Sequence, residues 1–336
     1  NLNGGNREGA IALLEKAVKL NANNAYALTI LANRVDFLNP TRSLALRKQA
    51  MALDPNSIIA LNNYAANLIY LGKHEEAVSL FERIKIIQPE SQFGYLGLAR
   101  VNVLRGQLAD ALVQFERAVQ LSPKDGLLKF EVSKLHFSLG LTEQAKDTIS
   151  DIFFAPYRHV YEENLEQHLI EAQQVFPRTE QDSYGNFLRA LAEFSNANYN
   201  DSARYFKLAT GYCDYCIVRL FSYIEADEAY GLEQLELKKQ RFQNAVIQGE
   251  AYYLGRHNEA ELLEIALLEK DADRAIQYYE QLVNKKQPID VEILYFKPYQ
   301  FLRDHPEWPR LIKRHKAIMA EEREKYLSLT APSAVF

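Results

Sequence analysis

Apolar residues along the first half of the chain recur with helical spacing. In residues 6–20 they fall at Ile11, Leu13, Leu14, Val18 and Leu20, interrupted by Glu15, Lys16 and Lys19, which is the one-sided stripe of an amphipathic helix. A longer regularity overlies this one. Leu61, Tyr64, Ala65, Gly72, Ala77, Phe81 and Pro89 return 34 residues later as Tyr95, Leu98, Ala99, Gly106, Ala111, Phe115 and Pro123. Each copy predicts a helix pair. Gly ends the first helix in a left-handed cap that costs it nothing, the small Ala lets neighbouring helices approach, the aromatic ring fills the gap a turn later, and Pro stops the second helix.

The copies weaken in both directions. Residues 24–55 keep Ala27, Ile30, Ala50 and Pro55, but Asn39 and Pro40 replace the turn Gly and Arg47 takes the aromatic slot. Residues 6–20 read as the second helix of a truncated copy, with Ala10, Leu14 and Ala17 in its slots. The absent first helix leaves an open edge, a candidate surface for a homodimer, and a start without Met points to a longer parent chain. A fifth copy carries Val132, Gly140, Ala145 and Ile149, with Lys129 in the large slot and Pro156 closing it.

Residues 152–183 leave the pattern. Phe153, Phe154 and Tyr157 cluster there, and a helix over residues 161–175 is expected to stop before Pro177, forming an irregular joint in one superhelix. Phe187, Ala190, Leu191, Phe194 and Ala203 then match one further unit, and Leu262, Leu263, Ala266, Ala275 and Tyr279 another. Between them, helices are expected over residues 217–230 and 237–254. Beyond Pro288, Tyr295, Phe296, Tyr299, Phe301 and Leu302 form an aromatic cluster. A last helix should run from near Pro309 to near Leu327, because Pro is tolerated only around a helix start. Leu311, Ile312 and Met319 would pack it back on the last repeat as a cap. The organisation expected is a regular array over residues 1–157 and a degenerate helical region over residues 158–336.

The repeat resembles the tetratricopeptide repeat (TPR), which has this period and these slots. The resemblance implies an all-α fold, an α-α superhelix (solenoid) of antiparallel helix pairs, with the first helix of each pair lining a concave groove. In that family ligands touch residues one, five and eight positions after the large slot. On this chain those are Asn62, Ala66 and Ile69; Leu96, Arg100 and Val103; and Phe130, Lys134 and Phe137, with Phe93 beside them. Such a groove is mostly apolar and carries two cations one repeat apart, suited to an extended or helical peptide with apolar anchors and a carboxylate. The competing reading packs these rings within the superhelix and leaves the cations solvated.

The ending FKPYQFLRDHPEWPRLIKRHKAIMAEEREKYLSL resembles the close of TPR regions attached to bacterial membrane-anchored nucleotide cyclases and winged-helix transcriptional regulators. Leu302, Arg303, Asp304, Pro306, Trp308, Leu311 and Ile312 carry that likeness. It implies the regulatory or sensor module of a larger bacterial signalling protein, lying in the periplasm; without it the chain would be placed in the cytoplasm.

Composition narrows the chemistry. With 39 basic and 44 acidic residues the net charge is −5, which gives no reason to expect nucleic acid as partner. No apolar run reaches the length of a membrane span, so no membrane insertion by this segment is expected. Phosphate-loop, nucleophile-elbow and zinc-protease spacings are absent, and no cofactor or metal is expected. Seven His residues are scattered, and His74 and His257, just past turn glycines, should be solvated. Cys213 and Cys216 leave three readings open: two buried thiols, a local disulfide, or a redox pair; zinc would need a second pair of ligands. The function that follows is a non-enzymatic scaffold binding a protein or peptide. The alternatives are a small-molecule sensor using the Phe- and Tyr-rich stretch at residues 152–184, and a thiol redox protein.

Overall fold

The computed structural model describes residues 7–35, 40–150, 157–175, 182–209, 216–247, 249 and 256–331. Asn6, Asn39, Phe153, Phe154, Pro156, Pro177, Cys213 and the last five residues lie outside the described residues. By contact the chain groups into two compact units, Asn1–Val101 with Asn244–Arg256, and Asn102–Gln243 with His257–Phe336. The described residues of both are helical, without strands, and short turns join successive helices into antiparallel pairs. This is the all-α solenoid class.

The first unit contains α1 (Arg7–Leu20), α2 (Ala25–Val35), α3 (Pro40–Leu53), α4 (Ile58–Tyr70), α5 (His74–Ile87) and the greater part of α6 (Gln92–Leu104). Ser57 caps α4 by accepting the Ala60 amide at 3.3 Å. Leu61, Ala65, Ala77 and Phe81 are buried, as their repeat slots require. Arg47 explains how the degenerate copy still packs. It is buried, and its guanidinium donates to Asn33 Oδ1 at 3.0 Å and to Asn67 Oδ1. Hydrogen bonds to the two flanking first helices thus replace the ring.

The second unit begins with α7 (Leu108–Leu121), α8 (Gly126–Ser138), α9 (Thr142–Ile149), α10 (Arg158–Tyr161), α11 (Leu165–Val175), α12 (Ser183–Ser195), α13 (Tyr199–Leu208) and α14 (Ile217–Ala226). It continues through most of α15 (Glu228–Ile247), then α16 (Asn258–Leu268), α17 (Ala272–Asn284), α18 (Val291–Tyr295), α19 (Gln300–Arg303) and α20 (Trp308–Thr330). Gly106 and Gly140 sit at φ 67° and 74°, the left-handed conformation their slot demands.

Two expected helices are broken. The stretch 161–175 is split because Glu163 turns at φ 59° and Asn164 caps α11 through the Gln167 amide at 3.1 Å. The stretch 217–230 divides at Asp227, whose carboxylate accepts the Tyr230 amide at 3.3 Å. Gly231 makes that turn tight. A Cβ there would lie 2.4 Å from both the amide nitrogen and the Cα of Ile224, so backbone must move to admit it. Gly231→Ala is expected to destabilise by about 1–3 kcal/mol in urea denaturation, despite the better helix propensity of Ala.

The last helix runs slightly longer than expected and packs more widely. Leu311 and Met319 are buried, and α20 rests on α17 and also on α7, the first full helix of the same unit. Tyr326 donates to Glu116 at 2.8 Å, and Glu322 accepts the Ala109 amide at 3.0 Å. Gln107 gives α7 no side-chain cap, so a carboxylate 213 residues away in sequence supplies it. Glu322→Ala should therefore cost about 1–2 kcal/mol, whereas Glu321→Ala, on the exposed side, should cost almost nothing; parallel urea melts compare them. His257 belongs to the same closure. It is buried, not solvated, and hydrogen-bonds the Leu104 carbonyl at 2.9 Å through Nε2. Burial pushes its pKa down, which keeps the ring neutral.

Candidate functional site

The groove residues singled out by the repeat register fall on both units. Asn62, Phe93, Leu96 and Arg100 belong to the first; Phe130, Lys134 and Phe137 belong to the second.

On α4, Ile59, Asn62 and Ala66 lie three or four residues apart and so share one helix face, while Ile69, expected in the groove, is buried in the core; on α6, Phe93, Leu96 and Arg100 share one face in the same way. Leu98 and Ala99 point to the core, which is what leaves this face outward. Asn62 and Leu96 are half-buried and Arg100 is exposed. The first turns carry exposed large apolar residues: Ile59 (59%) and Phe93 (36%) at matching repeat positions, and Tyr26 (74%) one residue past the equivalent position at Ala25. The sequence reading missed Ile59, although the register that gave Phe93 also points to it; Tyr26 lies one residue off that register. Polar groups accompany the stripe. The Arg47 side chain reaches Asn33, Asn67 and, at 3.5 Å, the Asn63 carbonyl.

In the second unit the corresponding positions are engaged by the chain itself. Lys134 Nζ lies 3.7 Å from Glu292 Oε1, which also accepts the Tyr157 hydroxyl at 2.9 Å. Burial raises the Glu292 pKa, and Lys134 opposes that rise. Phe130 meets Tyr157 edge-on at 4.8 Å, and Phe137 stacks on Tyr161 at 4.9 Å with Tyr295 at 6.0 Å. Ser138 donates to the Ile289 carbonyl at 2.9 Å. A carboxylate on Lys134 and an aromatic anchor on Phe137 are therefore both provided by the segment around α18. Leu127, in the first turn of α8 and 34 residues after Phe93, stays 63% exposed. Nothing in the spacing of the repeats pairs residue 134 with residue 292.

Cys216 is half-buried at the N-cap of α14, with Cys213 outside the described residues. Among the described residues no group of three or more His, Cys, Asp or Glu is placed to hold a metal ion, and no helix is long and apolar enough to cross a membrane. Two buried cations escaped the sequence reading. Lys238 lies between Glu261 and Glu264 at 2.6 and 3.0 Å, and Arg189 is enclosed in α12.

No family model matches the chain, and no curated protein does. Among solved structures it is similar to YrrB, a TPR protein with an unusual peptide-binding site, at 17% identity over 67% of this chain and 97% of that one, with a TM-score of 0.34. Cut9–Hcn1, a hetero-tetramer of the APC/C, matches at 12% identity over 88% and 56% of the two chains, TM-score 0.42. A human IFIT1 dimer with m7Gppp-AAAA matches at 14% identity over 95% and 69%, TM-score 0.41. Likeness this distant leaves the function to be argued from the residues.

Proposed function

We propose that this chain is a non-catalytic helical-repeat scaffold that holds a protein or peptide segment on the face built by α4 and α6 of its first unit. One observation carries the reading: Ile59 and Phe93, 34 residues apart, repeat as exposed large apolar residues on that face, with Arg100 exposed two turns beyond Phe93. Single exposed apolar residues need no explanation, but their recurrence at a matching position of successive repeats does. A partner segment would lay apolar anchors along this face and bring a carboxylate to Arg100, where a planar guanidinium can take two oxygens at once. The resemblance of the C-terminal stretch supports placing this scaffold as the regulatory or sensor module of a larger bacterial signalling protein.

Panning a displayed peptide library on the chain tests the reading. Selected peptides should pair apolar residues with an acidic one, and Phe93→Asp or Arg100→Glu should weaken them at least about tenfold, the scale of one charge-assisted contact. Both positions are exposed, so circular dichroism should show the fold retained. Unchanged affinity in both variants would remove this face as the site, and selective capture of an oligonucleotide would replace the partner class. Lys134 makes a poor probe, since Glu there would face Glu292.

A further inference from the structure

Packing in the second unit encloses an Arg that has no ionic partner among the described residues. Arg189, on α12, is 1% exposed. Its Nη1 donates to Asn186 Oδ1 at 3.2 Å, and its guanidinium carbon lies 5.2 Å from the centre of the Tyr205 ring. Nε and Nη2 are buried and have no hydrogen-bond partner among the described residues. Glu193, one turn further along the helix, does not serve them; its two oxygens accept from Gln173 and Asn198, each at 2.9 Å.

These two donors are not an arbitrary pair. Nε–H and Nη2–H run parallel along one edge of the guanidinium, the fork that grips two oxygens of a carboxylate or phosphate side-on. Arg cannot escape burial by losing its proton, so a fork closed off from water and from any anion is costly to fold. Elsewhere the same unit provides for a buried cation: Lys238 has carboxylates at 2.6 and 3.0 Å.

We propose that Arg189 anchors an internal oxyanion site, in which its Nε and Nη2 take the phosphate or carboxylate group of a small ligand. Asn186, itself 1% exposed, fixes the plane of the guanidinium through Nη1, and the Tyr205 ring accommodates its charge. Enclosure of the fork restricts the ligand to a small molecule. The site lies on the unit that does not carry the proposed peptide face, so either can fail without the other.

Sodium phosphate and sodium acetate, each titrated against sodium chloride at equal ionic strength, test it on the intact chain. Wild type should melt at temperatures that climb with the logarithm of the concentration of at least one of the two anions, since binding to the folded state alone stabilises it. Arg189→Met should follow the chloride baseline. Arg189→Lys keeps the charge but loses the fork and should bind about tenfold more weakly. In wild type the Arg189 Nε–H resonance, protected by burial, should shift saturably with the same anion, a readout independent of whether either variant folds. A response to phosphate alone or to acetate alone assigns the ligand group. A wild type indifferent to both anions overturns the site, as does an Nε–H resonance that stays still, or an Arg189→Met protein that keeps the wild-type response.

Discussion

Lys238→Met should lose about 3–5 kcal/mol of stability at neutral pH, the cost of removing one member of a buried ion pair. The ammonium is 4% exposed and sits 2.6 Å from Glu261, which is 1% exposed, and 3.0 Å from the more open Glu264. Bringing these groups out of water is expensive, and their attraction offsets that expense only while both signs are present. Met fills much of the space of the Lys stem but leaves two carboxylates facing each other. A second substitution separates charge from packing. Lys238→Met with Glu261→Met should recover most of the stability, since an apolar pair of similar volume is often neutral or better. Urea denaturation of the wild type, the single and the double variant gives the comparison; a single variant within about 1 kcal/mol of wild type would mean that solvent already screens the pair.

Stability should also fall by up to about 3 kcal/mol between pH 6.5 and pH 4 through His315 alone. This ring is 1% exposed on α20. Its Nε2 lies 2.7 Å from the Gln287 carbonyl, an acceptor only, so Nε2 carries the proton and Nδ1 accepts from the Tyr279 hydroxyl at 2.9 Å. Burial pushes the pKa down from 6.5 to about 4. Below pH 6.5 the unfolded chain binds a proton that the folded chain refuses, so the contribution is complete above 6.5 and is lost as pH drops toward 4. His257, depressed for the same reason, acts in the same direction. His315→Gln can keep both hydrogen bonds without titrating, and its stability should decline less steeply over that window. Equal slopes in urea melts of the two proteins would show that His315 does not carry the dependence.

The repeat register made much of the fold legible, because each slot answers a local steric demand. Gly106 and Gly140 turn where a left-handed residue is needed, and Ala111 and Phe115 are buried as small and large fillers. Local capping was harder to see. Asn164 and Asp227 interrupt expected helices by offering side-chain oxygens to backbone amides, an option that apolar periodicity does not register. The exposed position of Phe93 on α6 follows from its repeat register, whereas the enclosure of Arg189 does not, since burial is a property of surroundings.

By itself the chain of residues determined the class of fold, the 34-residue register and which helix face turns inward, all consequences of contacts made within one repeat or between neighbours. Only the tertiary structure decided that Glu322 caps α7, that Glu292 and Tyr295 meet Lys134 and Phe137, and that Arg189 is enclosed. Those contacts join residues far apart in sequence, and no local periodicity encodes which distant side chain will arrive.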